Sequence, residues 1–172
     1  GGGSKDTLGV KNGPWLWNNL SAPDKDNLTN AYAALYHTTS TGFLVFGADR
    51  LANNGAAQLG FWFFKTPVGI VTTVGPITGK FVGEHVDGDV LLLANFTNGG
   101  AVTNILVYKW TGDDSTGSPQ LFAAGTVNCV IVPPSTQICV TSNTTDTPAP
   151  WPFKPKFGTT GFFPASSFFE GY

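Results

Sequence analysis

Eleven carboxylates are spread over 172 residues, and six of them stand where loops could aim them at a ligand. Asp24 and Asp26 lie in PDKDN, Glu84, Asp87 and Asp89 in GEHVDGD, and Asp49 closes the apolar run GFLVFGA. Calcium takes six to eight oxygens drawn from carboxylates, carbonyls and amides. Asp24, Asp26 and Asn27 or Asn30 would supply part of such a shell, and Glu84, Asp87 and Asp89 part of another. Neither cluster completes a calcium-loop pattern, so solvated turn acids are the competing reading. Asp49 suits a structural role instead: at a strand end its carboxylate can accept N–H groups of the following LANNG turn. Arg50 then projects to the opposite face. Hydrolysis would need two carboxylates across a cleft. Glu84 with Asp87 or Asp89 is the only pair to draw, since Glu170 is the one other Glu. His37 and His85 are isolated, read as surface or strand-end residues, and no GxSxG nucleophile motif occurs. The expectation is a protein that is not an enzyme.

The aromatic residues offer a second chemistry. Trp15 and Trp17 lie two apart after Pro14, so an extended backbone turns both indoles to one face. Such a pair is either a stacking platform for a glycan or an anchor fixing the leading segment to a core. Trp62, Trp110 and Trp151 carry the same two readings. Phe162, Phe163, Phe168, Phe169 and Tyr172 fall in the last eleven residues. Left in solvent they would promote aggregation, so they dock either on their own domain or on another chain. Cys129 and Cys139 bound the loop NCVIVPPSTQIC, where Pro133-Pro134 can fold the flanks side by side. A disulfide is expected, against a pair of buried thiols, and with neither histidine nearby a zinc site is not. N-x-S/T acceptor patterns stand at Asn19, Asn27, Asn95 and Asn143, a composition that arises readily in a Thr/Asn-rich chain.

These groups have to be held by strands. Only 12% of residues are charged, about half the usual share, so the polar surface consists largely of Thr, Asn, Ser and Gly, as in many extracellular modules. The 22 Gly and 12 Pro punctuate the chain too often for helices. A net charge of −2 with one arginine, Arg50, argues against nucleic acid as partner, and no apolar run is long enough for a membrane-spanning helix. There is no Met, so the expectation is that something upstream is missing from this sequence.

Gly42–Ala48 and Gln58–Phe64 flank Asn53-Asn54-Gly55, and the positive φ that Asn-Gly supplies predicts a central antiparallel hairpin. Phe61 and Phe63 alternate with Trp62 and Phe64, so this strand needs cover on both faces. Further strands are expected at Ala31–Tyr36, Val68–Val74, Lys80–Val82, Asp89–Asn95, Ala101–Trp110, Gln120–Ala124 and the two arms of the cysteine loop, about nine in all. From Thr144 five prolines between Pro148 and Pro164 favour an extended surface ribbon. The expected fold is all-β: an antiparallel, jelly-roll-like β-sandwich over residues 1–143. A Pro- and aromatic-rich ribbon, 144–172, docks on the same sandwich or on a neighbouring subunit, the whole forming a single domain.

The collinear series GGGSKD, PDKDNLTNAYAALY, FGADRLANNGAAQLGFWFF, VGEHVDGDVLLLANFTNGG, TPAPWPF and FFEG resembles a widespread bacterial domain of large secreted and cell-surface proteins. That domain often stands beside immunoglobulin-like or collagen-binding-type repeats. The resemblance covers almost the whole chain and implies a surface location and a β-sandwich more firmly than any activity. Members of that family carry a further β segment before GGGSKD and more sequence after FFEG. The expectation is a domain excised from a longer chain, or a mature subunit whose absent strand comes from another copy.

Low charge, Thr/Asn/Gly-rich surfaces, the aromatic tail and the doubly apolar strand at Gly60–Phe64 together suggest a structural or adhesive subunit of a cell-surface layer or filament. Its partners would be copies of itself or neighbouring domains, and calcium is the one cofactor its residues suit. The alternative is a carbohydrate-binding module of a larger secreted surface protein.

Overall fold

The structure is a computed structural model that describes residues 9–10, 15–18, 21–39, 42–72, 78–127, 139–140 and 168–170. Among these residues there is no α-helix, hence no helix able to cross a membrane, and the only helical element is a 3-10 turn at Asp24–Asp26. The strands are β1 (Leu16–Asn18), β2 (Leu28–His37), β3 (Gly42–Arg50), β4 (Ala57–Phe63), β5 (Gly69–Thr72), β6 (Thr78–Val82), β7 (Val90–Phe96), β8 (Val102–Thr111), β9 (Ser118–Val127), β10 (Cys139–Val140) and β11 (Phe168–Glu170). They form three sheets, ordered β1-β6-β5, β10-β9-β8-β7-β4 and β11-β3-β2. The pairs β1–β6, β5–β6, β2–β3 and β3–β11 are antiparallel, and the two-residue pairing of β10 with β9 is parallel.

The hairpin expected across Asn53-Asn54-Gly55 does not form. β3 pairs with β2 from Leu28↔Arg50 to His37↔Gly42, and β4 lies in another sheet beside β7. β2 offers β3 a partner along its whole length, from Gly42 to Arg50, across a connection of four residues. The Asn-Gly signal still marks a turn: Gly55 has φ +125 and its N–H donates to the Asn53 carbonyl at 3.1 Å. That turn carries the chain from one sheet to the next. It is tied to the β7–β8 connection by Gly99 N–H on the Asn53 carbonyl (2.9 Å) and Asn53 Nδ2 on the Gly99 carbonyl (3.3 Å).

The chain divides into two compact units that interleave in sequence: Gly1–Ala22, Gly60–Leu93 and Leu106–Ala124 in the first, Pro23–Leu59, Ala94–Ile105 and Gly125–Tyr172 in the second. β4, β7, β8 and β9 contribute residues to both. In the first unit Val10, Leu92, Val107 and Trp110 are buried, and in the second Ala48, Ala94, Phe96 and Ile105. Period-two burial along β7 puts Leu92, Ala94 and Phe96 on one face. Asn95 points away and joins a ladder of side-chain amides across three neighbouring strands, from Gln58 Nε2 to Asn95 Oδ1 (2.7 Å) and from Asn95 Nδ2 to Asn104 Oδ1 (2.5 Å). Amide ladders of this kind let an uncharged face stay polar.

Candidate functional site

In the first unit, chemistry gathers around His85. β6 ends at Val82, and Gly83, with φ +122, turns the chain into GEHVDGD. His85 Nδ1 lies 3.0 Å from Asp89 Oδ2, so the ring nitrogen facing the carboxylate is the one that carries the proton. Asp89 also accepts the N–H of Lys65 (2.9 Å) on Oδ1 and of Val86 (3.2 Å) on Oδ2. Asp114 Oδ1 accepts the N–H of His85 (2.7 Å) and of Val10 (2.6 Å). His85, Asp89 and Asp114 are all buried.

Around this polar knot stand rings. Trp110 stacks on the imidazole at 4.1 Å and 16°, Trp62 lies at 4.5 Å, Phe64 at 5.3 Å and Trp15 edge-on at 5.5 Å. Trp15 further meets Trp62, Phe64 and Phe81 at 5.7–6.2 Å. His85 Nε2 is enclosed with no hydrogen-bond partner among the described residues. A general base needs its free nitrogen within reach of a substrate proton, and Nε2 has no such opening. His85 was expected at a surface or strand end. It belongs to the core instead, because Asp89 and the surrounding rings give its polar and flat parts separate partners.

Beside the knot runs an open groove of about 320 Å³ lined by Glu84, His85, Val86, Asp87, Gly112, Asp113 and Asp114. Three of its carboxylates, Asp87, Asp113 and Asp114, are engaged in holding loops. Asp87 Oδ1 accepts the Gly112 N–H at 3.3 Å, and Asp113 Oδ1 accepts Ser115 N, Thr116 N and Thr116 Oγ1. The Thr116 and Ser115 amides hold the Asp113 carboxyl below its ordinary value.

In the second unit the buried polar side chains are Thr29, Asp49 and Arg50, and Asp49 is the acceptor among them. Its Oδ2 accepts the Thr29 hydroxyl and, at 3.0 Å, Asn30 Nδ2. Oδ1 is buried with no hydrogen-bond partner among the described residues. The expected partner, the LANNG turn, is replaced by β2, because β2 rather than β4 lies alongside β3. Burial pushes the Asp49 carboxyl above its ordinary value, against the opposing hydrogen bonds. Arg50, equally buried, sends Nη1 to the Lys25 carbonyl (3.0 Å) and lies over the Phe96 ring at 5.0 Å, a cation–π contact.

The expected ligand residues fall as follows. Asp24 and Asp26 are exposed on the 3-10 turn, Asn30 serves Asp49, Glu84 and Asp87 line the groove, and Asp89 is committed to the knot. Among the described residues no three His, Cys, Asp or Glu side chains converge as a metal site would require. Trp15 is half-buried in the ring cluster around His85, and Trp17 sits opposite Gly79 in the β1–β6 register. Phe168 and Phe169 pair through their backbones with Arg50 and Asp49 of β3. Cys139 lies opposite Thr126. Cys129 lies outside the described residues, and with it the expected Cys129–Cys139 disulfide, as do Trp151, Phe162, Phe163 and Tyr172.

Sequence reasoning missed Thr29, Asp113 and Asp114, and it missed the character of the sheet edges. Among the described residues β2 and β5 are outer strands of their sheets, and β9 has β10 on its outer side only at Thr126 and Val127. Each of these three strands carries two consecutive exposed apolar residues: Leu35 (61%) and Tyr36 (55%), Ile70 and Val71, Leu121 (60%) and Phe122 (66%). Neighbouring residues on a strand point to opposite faces, so each edge is apolar above and below. The signal was in the chain: no Asp, Glu, Lys or Arg occurs between Asp26 and Asp49, or between Asp114 and Asp146.

No protein-family model matches the chain, and neither a curated protein nor a solved structure matches it at a significant level.

Proposed function

We propose that this protein is a non-enzymatic structural or adhesive subunit of a cell-surface layer or filament, built as a jelly-roll-like β-sandwich. It joins its neighbours through strand edges and aromatic contacts. One observation carries this reading: three strands, β2, β5 and β9, each expose adjacent apolar residues on both faces and contain no Asp, Glu, Lys or Arg. Soluble monomers guard their edges with charges, bulges or cover, since an open edge templates pairing with another chain. Edges left in this state favour a protein whose working form covers them. The low overall charge and the resemblance to bacterial surface domains support an extracellular setting.

Light scattering after size exclusion, with negative-stain microscopy, tests this reading. The wild-type chain should form oligomers or fibres, and Ile70→Lys combined with Phe122→Lys should shorten them. A chain that stays monomeric at roughly 100 µM, far above a micromolar dissociation constant, ends the proposal.

The half-buried cluster of Trp15, Trp62, Phe64 and Phe81 beside an acid-lined groove favours a second reading, carbohydrate binding. It predicts retention on an insoluble polysaccharide that Trp15→Ala abolishes. A chain that is not retained excludes it.

A further inference from the structure

The burial pattern of β2 changes partway along the strand. From Asn30 to Leu35 residues follow the alternation of a half-covered strand, but Tyr36 and His37 break it, both exposed like Leu35. Leu44, which lies opposite Leu35 in β3, is exposed as well. Among the described residues the end of this hairpin is therefore a two-stranded ribbon with Leu35 and Tyr36 exposed on opposite faces and β2 as its outer strand.

We propose that the outer edge of β2 pairs with the same edge of a second copy, antiparallel, about a two-fold axis midway between Leu35 and the partner's Leu35. This rests on the assembly reading above and names its first contact. Charge selects the occupant. A partner strand bearing Lys, Arg, Asp or Glu would bring charges into a desolvated contact with no counter-charge, because none lies between Asp26 and Asp49. β2 itself meets the requirement.

Symmetry selects the register. A two-fold normal to the sheet leaves each face pointing the same way, so residues of equal parity oppose one another. Centring on Leu35 places it against the partner's Leu35, giving a row of four leucines: Leu44, Leu35, the partner's Leu35 and the partner's Leu44. On the other face Tyr36 lies over the partner's Ala34, where the small side chain leaves room for the ring. Centring on Tyr36 would set Leu35 against the partner's His37, and centring on Ala34 would set it against the partner's Ala33. Both break the leucine row. The paired stretch spans about five residues per strand, an ordinary strand length, and joins two three-stranded sheets into one.

Sedimentation equilibrium of the full chain tests this contact. Leu35→Lys puts like charges directly opposite each other and should weaken the dimer at least about tenfold. Leu35 is exposed, so the melting temperature should hold. Leu121→Lys on β9 should leave the dimer step unchanged. Under mild oxidation Leu35→Cys should give a peptide cross-linked from position 35 to position 35, and Ala33→Cys should give no 33-to-33 cross-link. If Leu35→Lys dimerises like wild type, or no 35-to-35 cross-link forms, β2 is not the contact and the assembly reading survives. If wild type is monomeric throughout, both fall.

Discussion

His85 Nδ1 lies 3.0 Å from Asp89 Oδ2, with both side chains closed to solvent and the Trp110 ring stacked on the imidazole. The carboxylate also gathers the Lys65 and Val86 amides. One aspartate thus satisfies donors from the loop after β4, from the GEHVDGD turn and from the histidine ring.

Asp89→Ala should therefore be among the most damaging single changes in the first unit. It strands three buried or half-buried donors, each costing about 1–3 kcal/mol when left unmet. A loss of roughly 3 kcal/mol or more is expected in urea unfolding. Asp89→Asn, which keeps an acceptor, should lose less. A loss for Asp89→Ala inside the roughly ±0.5 kcal/mol typical of surface changes would contradict the structural role.

Asp49 should give stability a distinct pH dependence. Burial raises its carboxyl pKa above the ordinary aspartate value of 3.8, so the folded state holds the proton more tightly than the unfolded chain does. Its contribution is complete below pH 3.8 and is lost as pH rises through the folded value. Against the non-titrating Asp49→Asn variant, wild type should fare best at low pH and lose ground as pH increases. Denaturant titrations of both proteins across the acidic range read the slope of this difference, independent of any constant offset. A difference growing in the opposite direction would show that the hydrogen bonds from Thr29 and Asn30 outweigh desolvation.

Gly117 closes the turn after β8, its N–H on the Asp113 carbonyl at 2.8 Å. A Cβ there would stand 2.8 Å from the Thr111 carbonyl and collide with the Trp110 indole nitrogen. Gly117→Ala should cost about 1–3 kcal/mol, as overpacking does, and should alter tryptophan fluorescence because Trp110 must move. Gly99, whose Cβ would meet nothing, is the natural comparison. Its φ of +97 makes Gly99→Ala costly through backbone strain alone, with no change in fluorescence. Equal fluorescence in both variants would remove the steric argument.

The sequence by itself determined that the chain is β-rich and where most strands lie. Turn residues and the alternation of apolar side chains are local properties, and the expected runs at Asp89–Asn95 and Ala101–Trp110 sit within a residue of β7 and β8. It also showed, through Asp49 and Arg50 side by side, that two opposite charges would leave on different faces, and each does have its own partners. Only the tertiary structure decided which strands pair. Asn53-Asn54-Gly55 marks a turn equally well within a hairpin or between sheets, and in the folded chain β2 takes the partner's place along the whole of β3. The burial of His85 was likewise beyond a linear reading. Its partners come from positions 15, 62, 64, 89 and 110, and a histidine is driven inside only when folding brings an acceptor and several rings around it together.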